Sequence, residues 1–195
     1  LFRFNLSANS AGDIGIYHVT FRVATSSATY QDSMIDGVNV YAFTDSSYAT
    51  PVTGIQTDGS LALNNIDTST RWASASTDLT IGAADASNAS TTVVVPAGQT
   101  RYFVIRGDAT TAGTQFNAST QMQGDSKFVS SLTNSNSQST YMSTTTYIIS
   151  SSDNDFIWTP FSTTTTQSVL KNDYTTGYGL PGLPTTNTNA QILTQ

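Results

Sequence analysis

Cysteine is absent from the 195 residues, which excludes disulfides, thiol catalysis and cysteine-ligated zinc. Glutamate is absent as well. All 13 acidic residues are aspartate, and lysine appears only as Lys127 and Lys171. Glu and Lys are good helix formers, so their scarcity argues against helices. Charged residues amount to 10%, well under the roughly one quarter of an ordinary globular chain. Seven scattered cations in a chain of net charge −6 assemble no basic stripe, so nucleic acid is not an expected partner. An acidic chain does not seek anionic lipid. No apolar run approaches the ~20 residues of a membrane span. There is no recognisable signal peptide, and Leu1 already opens an alternating strand, which reads as a chain processed or cut from a longer precursor.

Hydrophobic residues reach 37%, enough for a true core. Ser and Thr together supply roughly 30%, the one favouring turns and the other strands. The most apolar stretch is Thr91 to Asp108. Val93, Val94 and Val95 form one β-branched run. Pro96-Ala97-Gly98 breaks it, and Arg101 to Arg106 forms a second. Two strand-like runs around such a break predict a hairpin or a tight β-arch. In the second run Tyr102, Val104 and Arg106 share one face, and Arg101, Phe103, Ile105 and Gly107 the other. Further strands are expected at residues 1–8, with Phe2, Phe4 and Leu6 aligned, and at 14–24, with Tyr17, Val19, Phe21 and Val23 aligned. Residues 38–43, 61–66, 79–81, 115–123, 141–149 and 156–161 complete the set. Turn signals near every ten residues predict an all-β fold, an antiparallel β-sandwich, Ig-like or jelly-roll-like, of about eight to ten strands. Phe21, Val38, Val40, Val94, Phe103 and Ile105 are the expected core. Residues 1–184 read as a single sandwich domain and 185–195 as a polar C-terminal tail or linker.

Candidates for chemistry are few. His18 is the only histidine, sits in mid-strand, and has no GxSxG elbow to serve. The aspartates lie mostly in turn-like sequence, where Asp binds nearby backbone N–H groups. Asp153, Asn154 and Asp155 form the best metal candidate, because calcium takes several carboxylate and carbonyl oxygens from one loop. The same triplet also reads as a turn that introduces the strand at 156–161. Tyr48, Trp72, Trp158, Tyr174 and Tyr178 offer rings for sugar stacking, although such rings more often serve as core or latch. The triplets at Asn5, Asn88 and Asn117 match the N-glycosylation pattern, as a Ser-rich chain does by chance. Phe2, Phe4 and Leu6 are the assembly candidates. They give an apolar face on a strand whose edge offers free N–H and C=O groups to another chain.

The C-terminal block carries a resemblance. Asp153-Asn154-Asp155-Phe156-Ile157-Trp158-Thr159-Pro160, followed by residues 172–184 (NDYTTGYGLPGLP), resembles a module of very large secreted proteins of ultrasmall candidate-phyla (Parcubacteria-like) bacteria. Residues 17–25 (YHVTFRVAT), 38–47 and 95–107 (VPAGQTRYFVIRG) share it, while Tyr174 stands where that pattern has Trp. The resemblance implies a cell-surface or extracellular β-domain and brings no catalytic residues. With the composition, it leads to an expected non-enzymatic structural module, a building block of a bacterial surface layer, filament or adhesin stalk. The alternative is a carbohydrate-binding β-sandwich. No cofactor is expected beyond calcium. The expected partners are further copies, neighbouring modules of the same polypeptide, or surface glycans.

Overall fold

The computed structural model describes residues 1–25, 33–53, 77–82, 93–111, 117–126, 155–161, 175–186 and 188–194. The strands expected at 61–66 and 141–149 lie outside the described residues, as do Trp72 and Tyr174. The described chain forms ten strands and no helix: β1 (Phe2–Ser7), β2 (Ile14–Thr25), β3 (Ser33–Phe43), β4 (Thr77–Gly82), β5 (Val93–Val95), β6 (Thr100–Thr111), β7 (Asn117–Met122), β8 (Phe156–Thr159), β9 (Thr175–Thr176) and β10 (Gln191–Thr194). All pairings are antiparallel. A small sheet has the order β1-β6-β3. A large, curled sheet runs β10-β7-β2-β8-β9, with β4 and β5 also on β2. The all-β antiparallel sandwich read from the sequence is the fold of the protein.

Two twelve-residue strands organise it. β6 is the middle of the small sheet and β2 the hub of the large one. From β1 to β4, and again from β5 to β7, each strand lies in the sheet opposite its predecessor. The break at residues 96–99 is therefore an arch between sheets rather than a hairpin. Gly98 takes a left-handed φ of 70° there, which glycine accepts without steric strain. The arch is tied to the neighbouring β1–β2 crossing by Gly98 N donating to Asn9 O at 3.0 Å and Ala97 N to Asp13 Oδ1 at 2.8 Å.

The core fills the space between the sheets. Phe2 and Phe4 of the small sheet each meet Phe21 of the large one at 5.6 Å between ring centroids. Phe4 also stacks on Phe103 at 4.8 Å. Phe21, Val38, Val40, Phe103 and Ile105 are buried as the alternation requires. Burying such a side chain contributes about 1.5–3 kcal/mol. Val94 departs from expectation: it is half-exposed, while Val93 and Val95 turn inward. Three consecutive valines carry no phase of their own. The phase comes from pairing Val95 with Ile14 and Val93 with Ile16.

Two of the long strands, β2 and β3, change phase at an irregularity. In β2 the register shifts between Ile16 and His18, so Ile16 and Val19 both face inward. In β3 it shifts between Asp36 and Asn39, and Ile35 and Val38 both face inward. One inserted residue keeps the apolar side of each half on the core. Residues 188–194, within the stretch read as a tail or linker, run along β7. Thr188 N donates to Met122 O at 2.9 Å, and Gln191 to Thr194 pair with Thr120 to Asn117.

Candidate functional site

Alternate residues of an antiparallel strand turn their N–H and C=O toward the same neighbour. In β1, Phe2, Phe4 and Leu6 turn theirs toward β6, and Arg3, Asn5 and Ser7 turn theirs to the outer edge. The Arg3 position is capped by a side chain. Gln191 Nε2 donates to Arg3 O at 2.8 Å, and Arg3 N donates to Gln191 Oε1 at 3.0 Å. Among the described residues, the outward backbone groups of Asn5 and Ser7 have no partner. The side chains of Phe2, Phe4 and Leu6, singled out in sequence for assembly, are brought together on the inner face. Phe2 is buried, and Phe4 and Leu6 are half-buried against the core. Below the open edge lies an apolar cleft of about 480 Å³, walled by Phe4, Leu6, Ile16, Met122, Trp158 and Leu183.

The loop after β9 roofs this cleft. Its turns use Gly179 and Gly182 at φ of 80° and 85°. It is fastened at two points. The Trp158 indole Nε1 donates to Thr176 O at 3.0 Å. The other fastening is Asp125, 1% exposed at the end of β7. Its Oδ1 accepts from Asp155 N at 2.8 Å. Its Oδ2 accepts from Gly177 N at 2.6 Å and Phe156 N at 3.3 Å. One carboxylate thus joins β7, the start of β8 and the loop after β9. Asp125 was not singled out in sequence, because Gly124-Asp125-Ser126 is indistinguishable there from a solvent-facing turn.

Of the metal candidates, Asp153 and Asn154 lie outside the described residues. Asp155 is buried, its backbone bonded to Asp125 and, through its carbonyl, to Thr20 N at 2.7 Å. Among the described residues no three His or Asp side chains gather in a metal-binding group. The backbone of His18 pairs with Gly82 and Ile157, and its side chain lies outside the described residues. Nor does any helix of the described chain have the length and apolarity to cross a membrane.

The aromatic candidates separate. Trp158 walls the cleft, and Tyr178 stands exposed on the roof loop. Tyr48 lies instead on the outer face of the small sheet, where it meets Phe43 edge-on at 5.8 Å and Tyr102 at 6.3 Å. The 44–50 loop holds it there with φ at 58°. The Asp45 carboxylate gathers that loop, accepting from Ser47 N at 2.9 Å, Thr50 N at 2.6 Å and the Ser47 hydroxyl. These bonds, the Ser47 hydroxyl foremost, hold the Asp45 carboxyl well below the usual aspartate value. Two arginines lie on the same aromatic face. Arg3 Cζ is 4.9 Å from the Tyr48 ring centre, and Arg106 Cζ is 4.7 Å from that of Tyr41 and 5.7 Å from that of Phe43. The sequence alternation had placed Tyr102, Val104 and Arg106 together. What it lacked was the register that brings Arg3 and Tyr41 beside Val104. No family model, curated protein or solved structure matches the chain.

Proposed function

We propose that the chain is a non-enzymatic extracellular structural module, a building block of a bacterial surface layer, filament or adhesin stalk. The open edge of β1 at Asn5 and Ser7, above an apolar cleft, is the observation that carries this reading. Strand edges that must stay single are commonly blocked by lysine, proline or a bulge, and neither Asn5 nor Ser7 supplies one. An extended segment of a neighbouring module or a further copy would bond to the free N–H and C=O groups, with alternate side chains reaching the cleft. The buried carboxylate of Asp125 supports the same reading, since it fastens backbone to backbone. The reading includes no cofactor and no nucleic-acid partner. A carbohydrate-binding role is the second reading, favoured by the arginine–aromatic face of the small sheet.

Asn5→Pro is the decisive variant. The Asn5 N–H points away from β6, so proline removes no ladder bond in the monomer, yet it blocks strand addition. Sedimentation velocity should show a wild-type protein that associates with rising concentration, and a folded Asn5→Pro protein that stays monomeric. A wild type that remains monomeric at millimolar concentration, or a variant that associates equally well, would sink the reading.

A further inference from the structure

The outer face of the small sheet has its own buried floor. Phe43 and Val104 are 3% and 5% exposed, although both stand on the side turned away from the main core. Tyr48, folded over by its loop, and the two guanidiniums provide the cover. Tyr41, Tyr48 and Tyr102 are half-exposed, and Arg3 and Arg106 are exposed. Neither guanidinium makes an ion pair or side-chain hydrogen bond among the described residues. Two unpaired cations on one face are a notable arrangement in a chain of net charge −6.

A guanidinium held over a ring without an ion pair keeps N–H groups free for a ligand. Those groups form a planar fork suited to a carboxylate, and the ring beneath limits the freedom lost on binding. Tyrosine adds a polar handle at the end of an apolar ring. A sugar ring has the matching chemistry of apolar C–H faces and a hydroxyl edge, and a uronic acid adds a carboxylate. Three of the protein's own acids are poorer candidates. Asp13, Asp45 and Asp125 already accept backbone N–H groups of their own chain.

We propose that this face binds a carboxylate-bearing polysaccharide, a polyuronate chain, with Arg3 and Arg106 taking its carboxylates and Tyr41, Tyr48 and Tyr102 its sugar rings. Two charges held over different rings of one aromatic cluster favour a polymer with repeating carboxylates over a single small anion. Arg3 stands on β1, but its guanidinium lies on the outer face of the sheet, so binding there does not require assembly through the Asn5–Ser7 edge.

The test is calorimetric titration with an oligogalacturonate, a neutral oligosaccharide of equal length, and a poly-aspartate peptide. The oligogalacturonate should bind saturably and more weakly as salt rises, and the neutral sugar should not bind. Poly-aspartate should bind at least tenfold more weakly than the oligogalacturonate. Arg106→Ala and Arg3→Ala should each weaken uronate binding by about tenfold or more. Arg106→Lys and Tyr48→Phe provide milder changes should an alanine variant lose its fold. The lysine keeps the charge without the fork and should still lower affinity. Absence of uronate binding overturns the proposal, as does binding unmoved by the arginine variants. Equal binding of poly-aspartate also overturns it, by making the face a docking patch for acidic protein.

Discussion

Replacing Asp125 by asparagine changes one oxygen to an amide nitrogen, and the structure fixes what that does. The carboxylate is 1% exposed and uses both oxygens. Oδ1 takes the Asp155 N–H at 2.8 Å, and Oδ2 takes the Gly177 N–H at 2.6 Å and, at the limit of bonding distance, the Phe156 N–H at 3.3 Å. Asparagine has a single acceptor oxygen. Whichever way it turns, its NH₂ faces a buried N–H donor. A bond to a charged acceptor is worth about 1.5–3 kcal/mol, and a buried donor left unsatisfied costs about 1–3 kcal/mol. Losing one side of the clasp should therefore cost about 2–4 kcal/mol. Alanine loses both sides but also removes the desolvation cost of the carboxylate, so its effect should be about 3–5 kcal/mol rather than twice the asparagine value. Guanidinium unfolding gives these differences, followed by Trp158 emission in a Trp72→Phe background. The emission should also shift in the native baseline, because the Trp158 indole bonds to Thr176, next to the clasped Gly177. An asparagine variant within about 0.5 kcal/mol of the parent would refute the reasoning, since a buried donor cannot be left facing an amide nitrogen at so small a cost.

Gly177→Ala should lower stability by about 1–3 kcal/mol through overpacking. An added Cβ would collide with Leu183 Cδ2, and would stand 2.9 Å from Phe156 Cβ and 3.1 Å from Asp125 Oδ2; a thermal melt checks this. Phe103→Ala removes the ring stacked on Phe4 and should cost about 3–5 kcal/mol by chemical denaturation. A loss under about 1 kcal/mol would contradict the burial of Phe103. The Asp45 loop should respond to acid late. Its folded carboxyl titrates below the ordinary value of 3.8, so its stabilisation is complete above that value and is lost as pH falls through the lower folded one. Amide shifts of Ser47 and Thr50 followed by NMR during acid titration should stay constant through the ordinary aspartate range, and a midpoint near 3.8 would contradict the clasp.

The strands were legible where apolar alternation ran for five or more residues. β1, β2, β3 and β6 each turn one apolar side to the main core, and such a side leaves a period of two in the sequence. The pattern failed wherever something other than burial sets the phase. Val94 sits in a uniform valine run whose phase is set by pairing with β2. Ile16 and Val19 both face inward because a register shift separates them, and no local signal marks an inserted residue there. β10 left no apolar alternation, because all four of its residues, the adjacent Ile192 and Leu193 included, are exposed. The candidate site was legible in part. Phe2, Phe4 and Leu6 do meet on one face, and Trp158 does bond to the following loop. Asp125, Arg3 and Arg106 act through partners roughly 30 to 100 positions away in sequence, a separation that composition and spacing do not encode.

The scarcity of one acid and the abundance of another have a common structural cause. A hairpin turn satisfies its backbone groups within the ladder it closes. An arch between sheets does not, because the strands it joins do not pair with each other. Among the described residues, β1 to β4 and β5 to β7 are joined by crossings between sheets, and the N–H groups there need acceptors from side chains. Tight loops draw on the same acceptors: a carboxylate on one methylene reaches N–H groups two to five residues ahead, as Asp45 reaches Ser47 and Thr50 in the loop closed by the Phe43–Pro51 bridge. Asp13 serves the neighbouring arch at Ala97 in the same way, and Asp125 serves three segments at once. A glutamate carries one more rotatable bond to be fixed and sets its oxygens too far out for the tight Asp45 loop. Serine and threonine hydroxyls do the same work without charge: Thr188 Oγ1 accepts from Met122 N at 2.9 Å, and Thr159 Oγ1 from Phe161 N at 3.1 Å. The described crossings and loops therefore draw on aspartate, serine and threonine, and among the described residues no helix gives a use to glutamate and lysine.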